Sequence, residues 1–362
     1  MTSKLQYVGW QVGITYQTKK KAGLDQQYLH DLLLEMSDRG MNFVSFMMIS
    51  HGLNDPIHDG YTWPTANPKL KCYTDRHCLN ADTETEFLSD IIEEAGNLGF
   101  HVNLFMNGFW WNHDRVKVGY PGIRTMGNAN TNDAMYHHCA DNDDTWRLAC
   151  DEVSDLLTYY SRGPVSSYGF EMIGREGCKC PDTMKLFNDA LASAGLDRNR
   201  EARAAEDFFR LWNRLRDKQV LEEFVLAIRR AAPSIEIWHH GYMELGDLGG
   251  YRFSANSYRK AGVDVAMPCV HTLMSEDMLE RVLSSAEGFP VVLHVDARGG
   301  ATLNYGVPAK SPEYIRNIGK WILKHNKECL KGAVFFNEPF TSQANKDAVY
   351  EVVRTWRDTG VF

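Results

Sequence analysis

Short apolar runs that end in polar, aromatic or ionisable residues recur eight times along this chain, at 7–16, 41–50, 101–111, 165–174, 235–243, 263–272, 291–300 and 332–340. Seven of them are followed by a stretch able to form an amphipathic helix, and the eighth leads into a last helix at 342–359. Strand and helix alternating eight times predicts a (β/α)8 barrel, an α/β fold with its active site at the C-terminal ends of the strands. The helices are legible. Positions 24–39 place Tyr28, Leu32 and Met36 on one stripe and stop at Gly40. Asp82 or Thr83 is expected to cap the next helix with Glu86 completing a capping box, burying Phe87, Ile91, Ala95 and Leu98. Later helices are expected near 144–161, 203–230, 254–261, 275–286 and 312–325.

Loop lengths are lopsided. Helix-to-strand links are short, whereas strand-to-helix links after the second, third and fourth strands cover 51–81, 112–143 and 175–201. Loops this long are usually functional or disordered. These are rich in Trp, Tyr, His, Asn and Asp, which predicts ordered walls around a site within a single barrel spanning 1–362. Trp63, Trp110, Trp111 and Tyr120 could stack on the C–H faces of sugar rings, or simply cover the barrel mouth.

Alternation with a period of two sorts the strand-end residues. In the seventh run Leu293, Val295 and Ala297 belong against the helices, so His294, Asp296 and Arg298 face the axis. Asp296 and Arg298 are expected either to contact substrate or to form an ion pair that shapes the site. In the fourth run Ser167, Gly169 and Glu171 share the axial side. Glu338 stands at the end of the eighth run, followed by Pro339. Two carboxyl groups converging at a barrel mouth suit glycosidic cleavage: one protonates the leaving oxygen, and the other attacks the anomeric carbon or activates a water. Glu171 is thus the expected nucleophile or base, and Glu338 or Glu176 the acid. An inert carboxylate paired with Arg is the competing explanation for each. His51, His239, His240, His271, Asn107 and Asn337 complete the expected sugar-binding set, because imidazoles and amides at strand ends can hydrogen-bond hydroxyls.

Composition narrows the partners. An apolar fraction of 44% with 24% charged residues fits a globular protein, and a net charge of −8 without a basic cluster beyond 19–21 argues against nucleic acid. No apolar stretch reaches the ~18–20 residues of a membrane helix. Positions 1–6 show no apolar signal-peptide core, which points to a cytoplasmic home. No cofactor is expected, and the oligomeric state is open. Eight cysteines are a low density for this length. Cys178 and Cys180 are too close for an easy mutual disulfide but could give a zinc ion two ligands, with Cys139, Cys150 or a histidine. No second close pair completes that pattern, so free thiols or longer-range partners are expected and no metal is assigned.

Two segments carry a family resemblance. The stretch 50–64, with His58-Asp59-Gly60-Tyr61 and Trp63-Pro64, resembles the His-Asp-Gly-aromatic and Trp-Pro segment of α-L-fucosidase-like barrel glycosidases, and 86–107 is similar to the segment that follows it there. The resemblance implies a nucleophile at the end of the fourth strand. The matching place reads Gly169-Phe170-Glu171-Met172, so Glu171 is carried over, with Glu in place of Asp. The stretch 175–181 resembles the Cys-x-Cys-Pro-x-Cys loop of β-galactosidase-like barrels, with Thr183 and Met184 standing where its third Cys is due. Both imply a glycoside hydrolase acting on a carbohydrate. Two other readings remain at this stage. One is a metal-dependent sugar isomerase of the xylose-isomerase-like type, using Glu171, His240, Asp296 and Glu338. The other is a non-catalytic carbohydrate-binding barrel.

Overall fold

The computed structural model describes residues 4–50, 60–75, 77–126, 136–172, 178–196, 202–241, 253–270, 273–298 and 309–362. Eight parallel strands close into a barrel: Tyr7–Gly13, Phe43–Met47, His101–Gly108, Val165–Met172, Glu236–Gly241, Val265–Val270, Val291–Asp296 and Leu330–Phe336. Each strand pairs with its sequence neighbours, and the first pairs with the last. The fold expectation holds, and the alternating side chains explain why. Leu293, Val295, Tyr168 and Phe170 lie in the outer core shared with the helices. Phe43, Trp238, Val265, Met267, Val292 and Val334 form a separate cluster inside the barrel, with Tyr7 against it.

Local signals set most helix ends. Asp25 accepts from the Tyr28 amide and starts the helix Gln26–Asp38, and Gly40, at φ 80°, follows its end. Ser254, Ser275, Ser311 and Ser342 cap four later helices in the same way.

The helix after the second strand departs from expectation. It begins at Leu88, with no side-chain cap from its first residue, and Asp82 and Thr83 lie outside it. Its first amides are met from further away: Asn80 Oδ1 accepts from Leu88 N at 2.9 Å, and Glu86 Oε1 accepts from Ser89 N at 3.0 Å. A buried amide from the preceding turn does the work assigned to a capping box.

The long links are ordered where described. The first contains a short pairing of Ile49–Ser50 with Gly60–Tyr61, and the second pairs Trp110–Trp111 with Tyr136–His137. The link after the fourth strand holds a helix, Pro181–Ser193, where a loop was expected; Cys180 caps it and Pro181 opens it. Ala202–Ala231 then forms the long helix leading to the fifth strand.

Candidate active site

Strand register brings together one group of expected residues. Asn107, Glu171 and His240 are register partners on the third, fourth and fifth strands, so their side chains share the axial face. Cys269 pairs with His294 across the sixth and seventh strands, and Asp296 pairs with Phe336 across the seventh and eighth. Ring contacts tie this rim together. Phe105 lies 4.1 Å from His240, His240 lies 5.2 Å from His294, and His294 lies 5.1 Å from Phe336, centroid to centroid.

A directional hydrogen-bond chain runs beneath the rim. Gln11 Nε2 donates to Ser45 Oγ at 3.2 Å, which leaves Gln11 Oε1 to accept from His294 Nε2 at 2.8 Å. On its other side, His294 Nδ1 lies 2.9 Å from the Cys269 sulfur. Onward from Ser45, Oγ donates to Asn103 Oδ1 at 2.8 Å, and Asn103 Nδ2 donates to Ser167 Oγ at 2.8 Å. Six strands are thereby fixed relative to one another through buried polar groups. Sequence alternation placed His294 on the axis but gave no role to Gln11, Ser45 or Cys269.

Glu171 is half-buried at the axial end of the fourth strand, and burial pushes its carboxyl up from 4.5 to about 7. Asp296 has a different environment. Arg298 Nε donates to its Oδ1 at 2.9 Å, an Arg298 terminal nitrogen donates to Oδ2 at 2.7 Å, and the Arg298 amide adds a third bond at 3.1 Å. Lys310 Nζ stands 3.9 Å from the same Oδ2, with burial as the main cause lowering its pKa. Asn345 donates to the carbonyls of Ala297 and Lys310 at 2.8 and 3.0 Å, fixing the backbone on both sides of this cluster. Burial and then the fields of Glu171 and Asp296 raise the Cys269 thiol well above its ordinary value, so both carboxyl groups bear on one spot. The guanidinium of Arg298 also lies 4.6 Å over the ring of Phe336. Lys310 lacked any local sequence signal, because it reaches the cluster from beyond the strand.

Other expected residues face elsewhere. Glu338 lies in a turn just past the eighth strand, and its carboxylate is taken by Tyr28, which donates at 2.6 Å, and by Lys346. Those partners sit on the outer helices Gln26–Asp38 and Gln343–Asp358, so Glu338 points into the helix layer and does not meet Glu171 across the cup. His239 also faces outward. Its Nδ1 meets the Tyr258 hydroxyl at 3.0 Å on the helix Ala255–Ala261, and burial lowers it to about 3, a neutral structural imidazole. Trp63 and Trp111 are fully buried, with indole N–H groups donating to Asp155 and Glu152 at 2.9 and 2.8 Å, so neither offers a face to a sugar. Tyr120 is likewise buried and donates to Asp151 at 2.6 Å. Trp110 is half-buried, edge-on to His137. Asn337 accepts from the Gly13 amide at 3.1 Å and so joins the last strand to the first. His51, Glu176 and His271 lie outside the described residues.

These placements also bear on a sugar isomerase. Glu171, His240, Asp296 and Glu338 do not form a cation-binding set. Among the described residues, the one group of His, Cys, Asp or Glu with ligand atoms all within 4.8 Å is Cys139, Cys178 and Cys180.

No family model and no curated protein matches the sequence. Solved structures do match in fold. The glycoside hydrolase domain of PgaB (BpsB) from Bordetella bronchiseptica aligns with a TM-score of 0.68 at 10% identity, over 98% of both chains. A GH20 exo-β-N-acetylglucosaminidase from Vibrio harveyi aligns with a TM-score of 0.55 at 10% identity, over 96% of this chain and 54% of its own. A GH36 α-galactosidase, AgaA, from Geobacillus stearothermophilus gives 0.53 at 10% identity, over 99% of this chain and 42% of its own. The chain therefore has the barrel fold of glycoside hydrolases. It spans the length of the first and about half of the other two. Among the described residues no helix is long and apolar enough to cross a membrane.

Proposed function

We propose that this protein is a glycoside hydrolase acting on a carbohydrate, with Glu171 as the proton-carrying carboxyl and Asp296 as its fixed partner. The observation that carries the reading is the contrast between the two groups. Glu171 holds a proton up to about pH 7 because it is buried, whereas Asp296 is gripped by Arg298 and stands beside Lys310. Two carboxyl groups with environments this different are what acid–base cleavage of an acetal requires. Glu171 donates its proton to the departing glycosidic oxygen. As that bond breaks, positive charge develops at the anomeric carbon, and the Asp296 carboxylate opposes it without having to reorient. Water completes the hydrolysis as Glu171 takes its proton back. In this reading His240 and Asn107, beside Glu171 on the neighbouring strands, hydrogen-bond sugar hydroxyls, and Phe105 and Phe336 supply apolar surface.

The pairing replaces Glu338 with Asp296 as the second carboxyl, because Glu338 is held by Tyr28 and Lys346 of the outer helices whereas Asp296 belongs to the axial set of the seventh strand. A panel of aryl glycosides, including N-acetylhexosaminides, galactosides and mannosides, tests the reading. At least one is hydrolysed by the wild type, and Glu171→Gln and Asp296→Asn each lower that turnover by about 10²-fold or more while the proteins remain folded. Turnover that survives both substitutions removes the proposed machinery.

A further inference from the structure

Three buried thiols converge away from the strand ends. Cys139 follows the third-strand hairpin, and Cys178 and Cys180 lead into the helix Pro181–Ser193; all three are buried and their sulfurs lie within 4.8 Å of one another. Cys139 and Cys180 stand 3.2 Å apart. Four thiolates around a tetrahedral zinc at about 2.3 Å would have sulfurs roughly 3.8 Å apart. The observed trio is therefore close to ligand spacing before any ion draws it in. Among the described residues, Met126 is the one hydrophobic companion in this cluster.

The surroundings hold the trio in place. Cys139 N donates to Arg124 O at 2.9 Å and Met126 N to His137 O at 2.8 Å, which fixes the strand-like segment that presents Cys139. Cys180 is the cap of its helix, so its sulfur already faces the helix amides. Thr183 brings an oxygen to 3.2 Å from Cys139 and 3.5 Å from Cys180 while donating its own proton to Asp141 at 2.8 Å. Asp141 is in turn fixed by Arg216 at 2.9 Å. The Thr183 oxygen thus turns lone pairs, not a proton, toward the sulfurs. Three thiols and an acceptor oxygen around one point form a donor set for a soft cation.

We propose that Cys139, Cys178 and Cys180 bind a zinc ion that clips the wall after the third strand to the wall after the fourth. The ion joins two of the three long links that surround the mouth, a structural role separate from hydrolysis at Glu171. Three protons leave the thiols as the metal binds, so affinity falls at acidic pH.

The test uses the full chain, purified with a reductant and without chelator, and reads the metal directly. Elemental analysis is expected to find about one zinc per chain, and the cobalt-substituted protein to show the intense near-ultraviolet thiolate-to-metal band of a multi-thiolate site. Cys178→Ser loses both signals, whereas Cys329→Ser, at a buried thiol beside the start of the eighth strand, keeps them. Should Cys178→Ser fail to fold, the cobalt spectrum of the wild type decides alone. Wild-type protein with no zinc and no cobalt band, or with Cys139 and Cys180 recovered as a disulfide, overturns the proposal. None of these readings depends on glycosidase turnover.

Discussion

Tyr28 donates its hydroxyl proton to Glu338 at 2.6 Å, and Lys346 meets the other oxygen of the same carboxylate. A strand-end acid that sequence position offers as a catalyst is thereby a brace between the helices Gln26–Asp38 and Gln343–Asp358. Glu338→Gln should leave turnover near the wild-type level and lower stability. Removing one charge of an enclosed pair costs about 3–5 kcal/mol, and the partial exposure of Lys346 puts the expected loss at roughly 2–3 kcal/mol. Denaturant unfolding and kcat on one aryl glycoside, measured together, check it. A collapse of kcat in a variant of wild-type stability would return Glu338 to the site.

Trp63 makes a related case. Its ring is buried against Tyr61 and its N–H is spent on Asp155, so Trp63→Phe should cost stability by about 1–2 kcal/mol through the lost hydrogen bond and volume. KM for a carbohydrate should not move. A rise in KM with unchanged Tm would show that the ring touches substrate after all.

Glu152 supplies a pH signature independent of catalysis. Fully buried on the helix Asp143–Tyr159, it accepts from Tyr61 and Trp111 at one oxygen, and burial raises it from 4.5 to about 8. Below about 4.5 both folded and unfolded chains carry the proton; between there and about 8 only the folded chain keeps it. The unfolded state then binds fewer protons, so stability falls as pH rises across that window, by a few kcal/mol. Glu152→Gln keeps a neutral acceptor in the same place. Its Tm should therefore decline less than that of the wild type between pH 5 and 8, as read by thermal melts across pH. Parallel declines would mean that Glu152 is ionised in the folded protein.

The barrel was legible because it rests on periodicity. Side chains must alternate between two cores, so runs such as 291–298 disclosed both the strand and the axial placement of Asp296. Glu171 was legible for the same reason. The outward turn of Glu338 was not, since the residue lies past the last ladder pair, where alternation no longer constrains direction. His239 and His240 show how narrow the margin is: adjacent imidazoles face opposite cores, and the partners that separate them, Tyr258 and Phe105, come from other elements. The aromatic walls misled because Trp and Tyr serve equally as platforms and as plugs. What distinguishes the two uses is an acid behind the ring for the N–H or O–H, as Asp155, Glu152 and Asp151 provide on one helix. Those acids are about 30 to 90 positions distant from their aromatic partners, beyond the reach of a local pattern.

The central claim concerns a proton on Glu171, and the pH dependence of kcat/KM for the most rapidly cleaved aryl glycoside tests it most directly. If Glu171 is the acid, activity falls as pH rises through about 7, and Glu171→Gln both erases that limb and lowers the rate by about 10²–10⁴. A Glu171→Gln enzyme that keeps the wild-type rate and the same alkaline limb would contradict the account.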